Sequence, residues 1–358
     1  MRHPVFSYMR WAKEHGAVHG IDLTVSSAPP LPLPPVRDYE GHRQHPTGDG
    51  DRLVEERIAT RYGMPPDHVL FVPGSTMGNF LLVYLLLERD GPVAVEEPVY
   101  ENLPGLVNLL RGTVVSLHRR PALRYRLDLE ETRAALDCGA RLVLLTDLHN
   151  PTGVHLADDE LHAIRELAAS HGATVLIDEV YRDFLEGPVS TSYRAEDPTV
   201  VVTSSFTKVY GLGSLRAGWI LCPPVLRRRA AELLDYLTVV PPTPVAAAVD
   251  AALDTIDERL AHARRSTMAG REAFGRWLAG RTDVDCVLPD AGVVAFPRLD
   301  GIADTEPLCD WLRRERDTAF VPGRFFGDPT RIRVAAGASA ERLTAGLAHL
   351  DEALPRFR

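Results

Sequence analysis

Short apolar runs alternate along most of the chain with stretches whose apolar residues recur every three to four positions. The runs predict strands at 69–72, 92–96, 114–117, 141–146, 173–177, 199–203 and 218–221. The intervening stretches predict helices at 51–62, 77–87, up to Leu109, 129–136 and 158–171. In the first of these, Leu53, Ile58 and Ala59 are expected to face inward. Such alternation indicates an α/β unit with a mainly parallel sheet covered by helices on both faces. Beyond Trp219 the pattern changes to long helical periods at 225–237, 245–255 and 256–279. Strands at 293–296 and 332–335 follow, with helices at 305–316 and 339–354, which reads as a smaller α+β lobe. The last of the long helices could bridge the two lobes. Ahead of the large unit lie a helix at 7–15, with Tyr8, Trp11 and Ala12 on one stripe, a strand at 21–25, and a proline-rich arm at 28–35. Proline excludes helix and central strand for that arm. It is either a linker or a flap over a site, and the flap is the expectation.

Several strands end in chemically suggestive loops. Glu96-Glu97-Pro98-Val99-Tyr100 follows one strand, Asp147-Leu148-His149-Asn150-Pro151-Thr152-Gly153 another, and Asp178-Glu179-Val180-Tyr181 a third. In a parallel sheet the C-terminal strand ends lie side by side, so these loops can converge. The strand at 69–72 turns through Pro73-Gly74-Ser75-Thr76 into an apolar helix. Free N–H groups at such a helix start favour an anion, although Ser75 or Thr76 could equally act as a plain N-cap.

The densest stretch runs from Ser204 to Trp219. It holds Lys208, three residues after Ser205 and eight before Arg216, among small residues and glycines. The chain has only one other lysine, Lys13. A lysine in partly apolar surroundings has a depressed pKa and can form an imine. A hydroxyl and an arginine fork suit a phosphate. Together these suggest pyridoxal 5′-phosphate. The bland alternative is a glycine-rich turn with a solvated lysine. A dinucleotide fingerprint fails, because Gly211-Leu212-Gly213 lacks the third glycine and Glu232 lies in a helical pattern.

Composition narrows the field further. The chain has 358 residues with a formal net charge of −9, which argues against a nucleic-acid surface. Cys138, Cys222, Cys286 and Cys309 are far apart, as expected of free thiols in a reducing, cytoplasmic protein. No secretory or membrane-spanning run is evident, and no metal site is expected from the 13 histidines.

Taken together, Gly74-Ser75-Thr76, Tyr100, Asn150-Pro151-Thr152-Gly153, Asp178 with Tyr181, Ser205 with Lys208 and Arg216, and Arg333 resemble the fold-type I pyridoxal-phosphate enzymes of the class I/II aminotransferase family, in the family's order. The resemblance implies a fold-type I transferase with a large lobe at 41–265 carrying a seven-stranded-type sheet. It implies a small lobe formed by 1–40 with its N-terminal arm and 266–358. It implies a homodimer acting on amino acids and 2-oxo acids. Lys208 would carry the cofactor, Asp178 would face its pyridine nitrogen, and Tyr100 would stack on the ring. Asn150 and Tyr181 would contact the ring 3′-oxygen, and Gly74, Ser75, Thr76, Ser205 and Arg216 the phosphate. Arg333, with Asn150 and Ser27, would meet substrate; Arg331 is the rival for the carboxylate. The plainer alternatives are an N-cap for Asp178, a core residue for Tyr100 and a solvated charge for either arginine.

Two departures stand out. His45 occupies the neighbourhood where the family often has a tyrosine reaching the partner's phosphate. Val25-Ser26-Ser27-Ala28-Pro29 lacks the family's glycine. Thr238 to Pro244 and the loop at Arg324-Phe325-Phe326 are candidate walls for the substrate side chain. The same residues could serve β-elimination or other Cα chemistry. A regulator on this fold would need an added DNA-binding domain, for which the short N-terminal segment is expected to leave no room.

Overall fold

The computed structural model describes residues 4–15, 19–36, 50–88, 90–239 and 242–358. The expectation for His45, and that for Val240 and Pro241 in the candidate wall, lie outside them.

The strands are β1 (Ile21–Asp22), β2 (Val69–Val72), β3 (Pro92–Glu97), β4 (Thr113–His118), β5 (Leu142–Thr146), β6 (Thr174–Asp178), β7 (Val200–Ser205), β8 (Gly218–Leu221), β9 (Val284–Asp285), β10 (Arg298–Leu299), β11 (Thr318–Ala319), β12 (Val321–Pro322) and β13 (Ile332–Arg333). The helices are α1 (Ser7–His15), α2 (Gly50–Tyr62), α3 (Ser75–Leu86), α4 (Asn102–Leu109), α5 (Leu129–Asp137), α6 (Asp158–Ser170), α7 (Pro224–Thr238), α8 (Thr243–Leu253), α9 (Ile256–Leu278), α10 (Glu306–Arg316) and α11 (Ala340–Phe357).

A seven-stranded sheet in the order β2-β8-β7-β6-β5-β3-β4 forms the large layer. Strands β3 to β7 run parallel, and β8 is antiparallel to both neighbours. The central strands are apolar on both faces because helices cover both. On one face α2, α5, α6 and α8 build a core around Phe71, Val143, Ile177 and Val202. On the other, α3, α4 and α7 pack around Leu70, Leu144, Leu176 and Val201.

A separate core gathers Leu23, Phe320 and Ile332 with residues of α10 and α11. Helix α9 joins the two: Ile256, Leu260 and Ala263 belong to the first core, and Ala273 and Phe274 to this one.

Two expectations are corrected. Leu53 is 40% exposed, while Ile58 and Ala59 do face inward as expected, with Val54 beside them. The same helix buries the Glu55 carboxylate, which accepts from the Phe71 amide at 3.0 Å and from Arg227 at 2.7 Å. Residues 293–296 are buried but form no strand. Only Ala295 pairs, with Val334, while the Val293 carbonyl accepts from Gly337 and that of Phe296 from the Arg331 side chain. The two-residue strands β9 to β12 are too short to leave an apolar alternation in the sequence.

Candidate functional site

Adjacent strand ends bring the site together. In the sheet register Thr146 lies beside Asp178, and Asp178 beside Thr203. Gly218 pairs with both Val72 and Ser205, so the turn after β2 meets the end of β7. Gly74 in that turn has φ +81°, open to glycine at little cost. It is the N-cap residue of α3, and no side chain caps the helix. Ser75 and Thr76 therefore form the first turn rather than the cap. Arg216, itself left-handed at φ 50°, brings its guanidinium against this turn. A Cβ on Gly74 would lie 3.0 Å from Arg216 Nη2, and one on Gly218 would lie 2.9 Å from Gly74 Cα. The result is a corner of helix N-terminus, arginine fork and the Ser205 hydroxyl, a setting for a phosphate.

The next two strand ends supply the polar groups for a ring. Asp178, at the end of β6, accepts from Asn79 Nδ2 at 2.7 Å and from the Val180 amide at 3.1 Å. Burial pushes its carboxyl up to about 6, against these two donors and the Lys208 charge. Asn150 follows β5. Its amide N–H donates to Thr146 Oγ1 at 3.1 Å, and its side-chain Oδ1 is buried with no protein partner. Glu96 holds Thr146 through both its backbone N–H and its hydroxyl. Tyr181 is buried beside Ser26 and Asp178. Tyr100, half-buried after β3, has Tyr8, Tyr181, Arg333 and Asp178 as electrostatic neighbours. His149 is locked neutral: burial lowers its pKa well below the ordinary value, Pro98 O accepts at 2.7 Å, and Thr152 Oγ1 lies 2.6 Å from Nδ1.

Lys208 is half-buried, and its Nζ donates to Ser26 Oγ at 3.0 Å. Burial lowers its pKa to about 8. The Arg333 and Arg216 charges act in the same direction, and Tyr8 and Asp178 oppose. The proline-rich arm lies on this loop. The Ala28 amide donates to Lys208 O at 2.8 Å, and a Cβ on Gly211 would meet Pro30 Cα at 2.8 Å. Arg259 anchors the arm further along by donating to the carbonyls of Leu31 and Pro32.

Arg333, at the end of β13, is 2% exposed and donates from Nη2 to Tyr8 OH at 3.0 Å and to Thr24 O at 2.9 Å. Phe326 lies under its guanidinium, 5.1 Å from the ring centroid. Arg331 is committed elsewhere, to Asp328, Asp285 and the Phe296 carbonyl.

Lys208, Asp178, Tyr181, Tyr100 and Arg333 thus form one constellation, with Gly74, Ser75, Thr76, Ser205 and Arg216 at its phosphate-like corner. Three residues escape sequence reasoning. Ser26, beside the expected substrate contact Ser27, meets Lys208. Tyr8, which the sequence shows only as part of an apolar stripe, reaches Arg333. Asn79 reaches Asp178, and its one signal is a lone amide inside an otherwise apolar helix.

The orphaned Asn150 Oδ1, the Gly74 corner and the buried Asp178 carboxylate fit a phosphorylated pyridine aldehyde joined to Lys208. Comparison with known proteins agrees. The model of aminotransferase class I and II matches residues 35–350. A capreomycidine synthase of Streptomyces vinaceus is 30% identical over 312 residues, covering 85% of this chain and 79% of that protein. A probable N-succinyldiaminopimelate aminotransferase of Mycobacterium tuberculosis (strain CDC 1551 / Oshkosh) is 28% identical over 347 residues, covering 91% and 85%. Among solved structures, a pyridoxal-phosphate-dependent aminotransferase of Streptococcus suis 89-1591 superposes with a TM-score of 0.89 over 100% of this chain and 99% of its own, at 23% identity. The pyridoxal-phosphate-dependent cyclase OrfR does so at 0.83, over 99% and 98%, at 25% identity. The chain belongs to the class I and II aminotransferase family and is a fold-type I, pyridoxal-phosphate-dependent aminotransferase.

Proposed function

We propose that the enzyme moves an amino group between an L-α-amino acid and a 2-oxo acid, with pyridoxal 5′-phosphate held at Lys208. The observation that carries this reading is a half-buried Lys208 set among Asp178, Tyr8 and Arg333 and hydrogen-bonded to Ser26. When bound, pyridoxal phosphate supplies an electron sink that weakens the Cα–H bond of an attached amino acid. The protein's part is placement and proton movement. Lys208, with its pKa lowered to about 8, is available as a neutral amine to take and return the Cα proton. Asp178 would keep the ring nitrogen protonated. Asn150 and Tyr181 would hold the ring 3′-oxygen, with Tyr100 against the ring face. Gly74, Ser75, Thr76, Ser205 and Arg216 would grip the phosphate. Arg333 would grip the α-carboxylate, with Ser27 and the arm closing over it.

A second reading, another Cα reaction such as β-elimination, is favoured by the names of two similar proteins, a synthase and a cyclase. One experiment separates the two. Amino acids are added singly to holoenzyme, and the oxo acid released and the pyridoxamine phosphate formed are measured together. Stoichiometric formation of both supports transamination. Oxo acid with ammonia and no pyridoxamine phosphate overturns it.

We further read 41–265 as the cofactor lobe and 1–40 with 266–358 as the small lobe, a division that falls within α9 between its two core-packing ends. A cytoplasmic homodimer is the accompanying reading. The free cysteines are consistent with that compartment, and exposed Val225, Tyr236 and Val239 on and beside α7 with a second copy. Among the described residues no helix is long and apolar enough to cross a membrane.

A further inference from the structure

Helix α3 is almost wholly apolar, yet it buries one amide, Asn79, under the sheet. Burying an amide without partners is costly, so its bonds identify what it is for. Thr203 Oγ1 lies 2.6 Å from Asn79 Oδ1, and Asn79 Nδ2 lies 2.7 Å from Asp178 Oδ2. All three residues are buried. They come from three elements, β7, α3 and β6, so the contact is tertiary rather than a by-product of local turns.

The direction of each bond follows from donor inventory. An ionised carboxylate only accepts, so the amide must present N–H to it. The amide oxygen then faces Thr203, whose hydroxyl donates. In this orientation Asn79 offers Asp178 a donor and no acceptor. A protonated Asp178 would have no partner there for its own proton. The relay therefore favours the charged form of Asp178 over the neutral form.

We propose that Asn79, held by Thr203, is a positioning residue that keeps Asp178 ionised and fixes its Oδ2. It would thereby govern whether a pyridine nitrogen bound at Asp178 retains its proton. The inference rests on the reading of Asp178 as the ring-nitrogen partner. The groups facing Asp178 are Lys208 from the loop after β7, Tyr100 from the loop after β3, Tyr181 on its own loop, the Val180 amide, and Asn79. Lys208 favours the charged form electrostatically, and Val180 and Asn79 favour it by hydrogen bonding. Burial opposes all three. Removing Asn79 leaves burial less opposed, so Asp178 takes up a proton at higher pH. The shared proton then moves from the ring nitrogen toward the carboxylate.

The test uses Asn79→Leu and Thr203→Val holoenzymes reconstituted with cofactor labelled at the ring nitrogen. The nitrogen resonance is followed against pH, with cofactor retention and apoprotein melting measured in parallel. In Asn79→Leu the pH at which Asp178 becomes protonated is expected to rise by about one unit, a tenfold change in proton affinity. The ring nitrogen should lose proton character over the same range, with cofactor still retained. Thr203→Val, which frees the amide to rotate, should shift the profile in the same direction by less. If Asn79→Leu does not fold, Thr203→Val alone decides. A profile superimposable on wild type overturns the proposal, as does a shift accompanied by cofactor loss. The resonance needs no turnover. A wild type that fails to transaminate while the variants still shift would refute the proposed reaction and leave the relay standing.

Discussion

The guanidinium of Arg333 donates to the hydroxyl of Tyr8 across 3.0 Å, joining the end of β13 to the N-terminal helix. Because Tyr8 accepts that bond, its own hydroxyl hydrogen stays available to a third group. Helix α1 is held in place for this by Glu101, whose carboxylate accepts from the Ser7 and Tyr8 amides at 2.9 and 2.6 Å. A carboxylate at a helix N-terminus also complements the helix dipole. The same arginine donates to Thr24 O, two residues ahead of Ser26, the partner of Lys208. One segment thus touches both ends of the proposed substrate site.

Arg333→Lys is expected to weaken amino donor and oxo acceptor alike, on the order of a hundredfold, or roughly 3 kcal/mol, because the planar fork is lost while the charge stays. Cofactor retention should not change. Arg331→Lys should leave substrate affinity near wild type and lower the melting temperature instead, since Arg331 is committed to Asp328 and Asp285. Substrate titrations of the cofactor absorbance compare the two directly. Weaker substrate binding in Arg331→Lys alone would move the clamp by two residues.

Gly74→Ala probes the phosphate corner. The new Cβ would lie 3.0 Å from Arg216 Nη2, and φ +81° disfavours any side chain. Backbone strain of about 1 kcal/mol and a displaced arginine should together weaken cofactor affinity at least tenfold. Dissociation constants for pyridoxal phosphate on the apoprotein measure this. Unchanged affinity would place the phosphate elsewhere.

The sheet and the strand-end loops are legible in the sequence because buried parallel strands leave uninterrupted apolar runs, and Asp178 and Lys208 stand where those runs stop. Tyr8, Ser26 and Asn79 are not legible. Their roles depend on which distant element each one meets, and local period carries no such information. Tyr8 lies 325 positions from Arg333, and Ser26 lies 182 from Lys208. Leu53 departs from its apolar pattern for a related reason. A buried carboxylate at Glu55, held by Phe71 and Arg227, outweighs the apolar preference that periodicity measures.

Asp178→Ala should retain the cofactor, since the phosphate corner is untouched, while turnover falls by several orders of magnitude. Each tenfold loss corresponds to about 1.36 kcal/mol of barrier. Single-turnover rates with a saturating amino acid report it. Near-normal turnover would remove Asp178 from the mechanism.

The half-buried Lys208 makes both cofactor attachment and stability depend on pH. Burial lowers its pKa from an ordinary 10.5 to about 8. In the apoprotein the amine is mostly charged below pH 8 and neutral above it. Only the neutral amine attacks an aldehyde, so the rate of cofactor attachment should rise with pH and level off above about 8. Stability follows the same group. Between about 8 and 10.5 the unfolded chain holds a proton that the folded chain has released, so the unfolded state binds more protons. Stability therefore rises with pH across that window as far as this lysine contributes. Ser26→Ala removes the hydroxyl that Nζ contacts and should move the midpoint of attachment without abolishing it. Stopped-flow mixing of apoprotein with pyridoxal phosphate, followed by borohydride reduction and peptide mapping, reads rate and site together. A midpoint near 10.5, or a pyridoxyl group on Lys13, would show that the Lys208 amine is not the one that reacts.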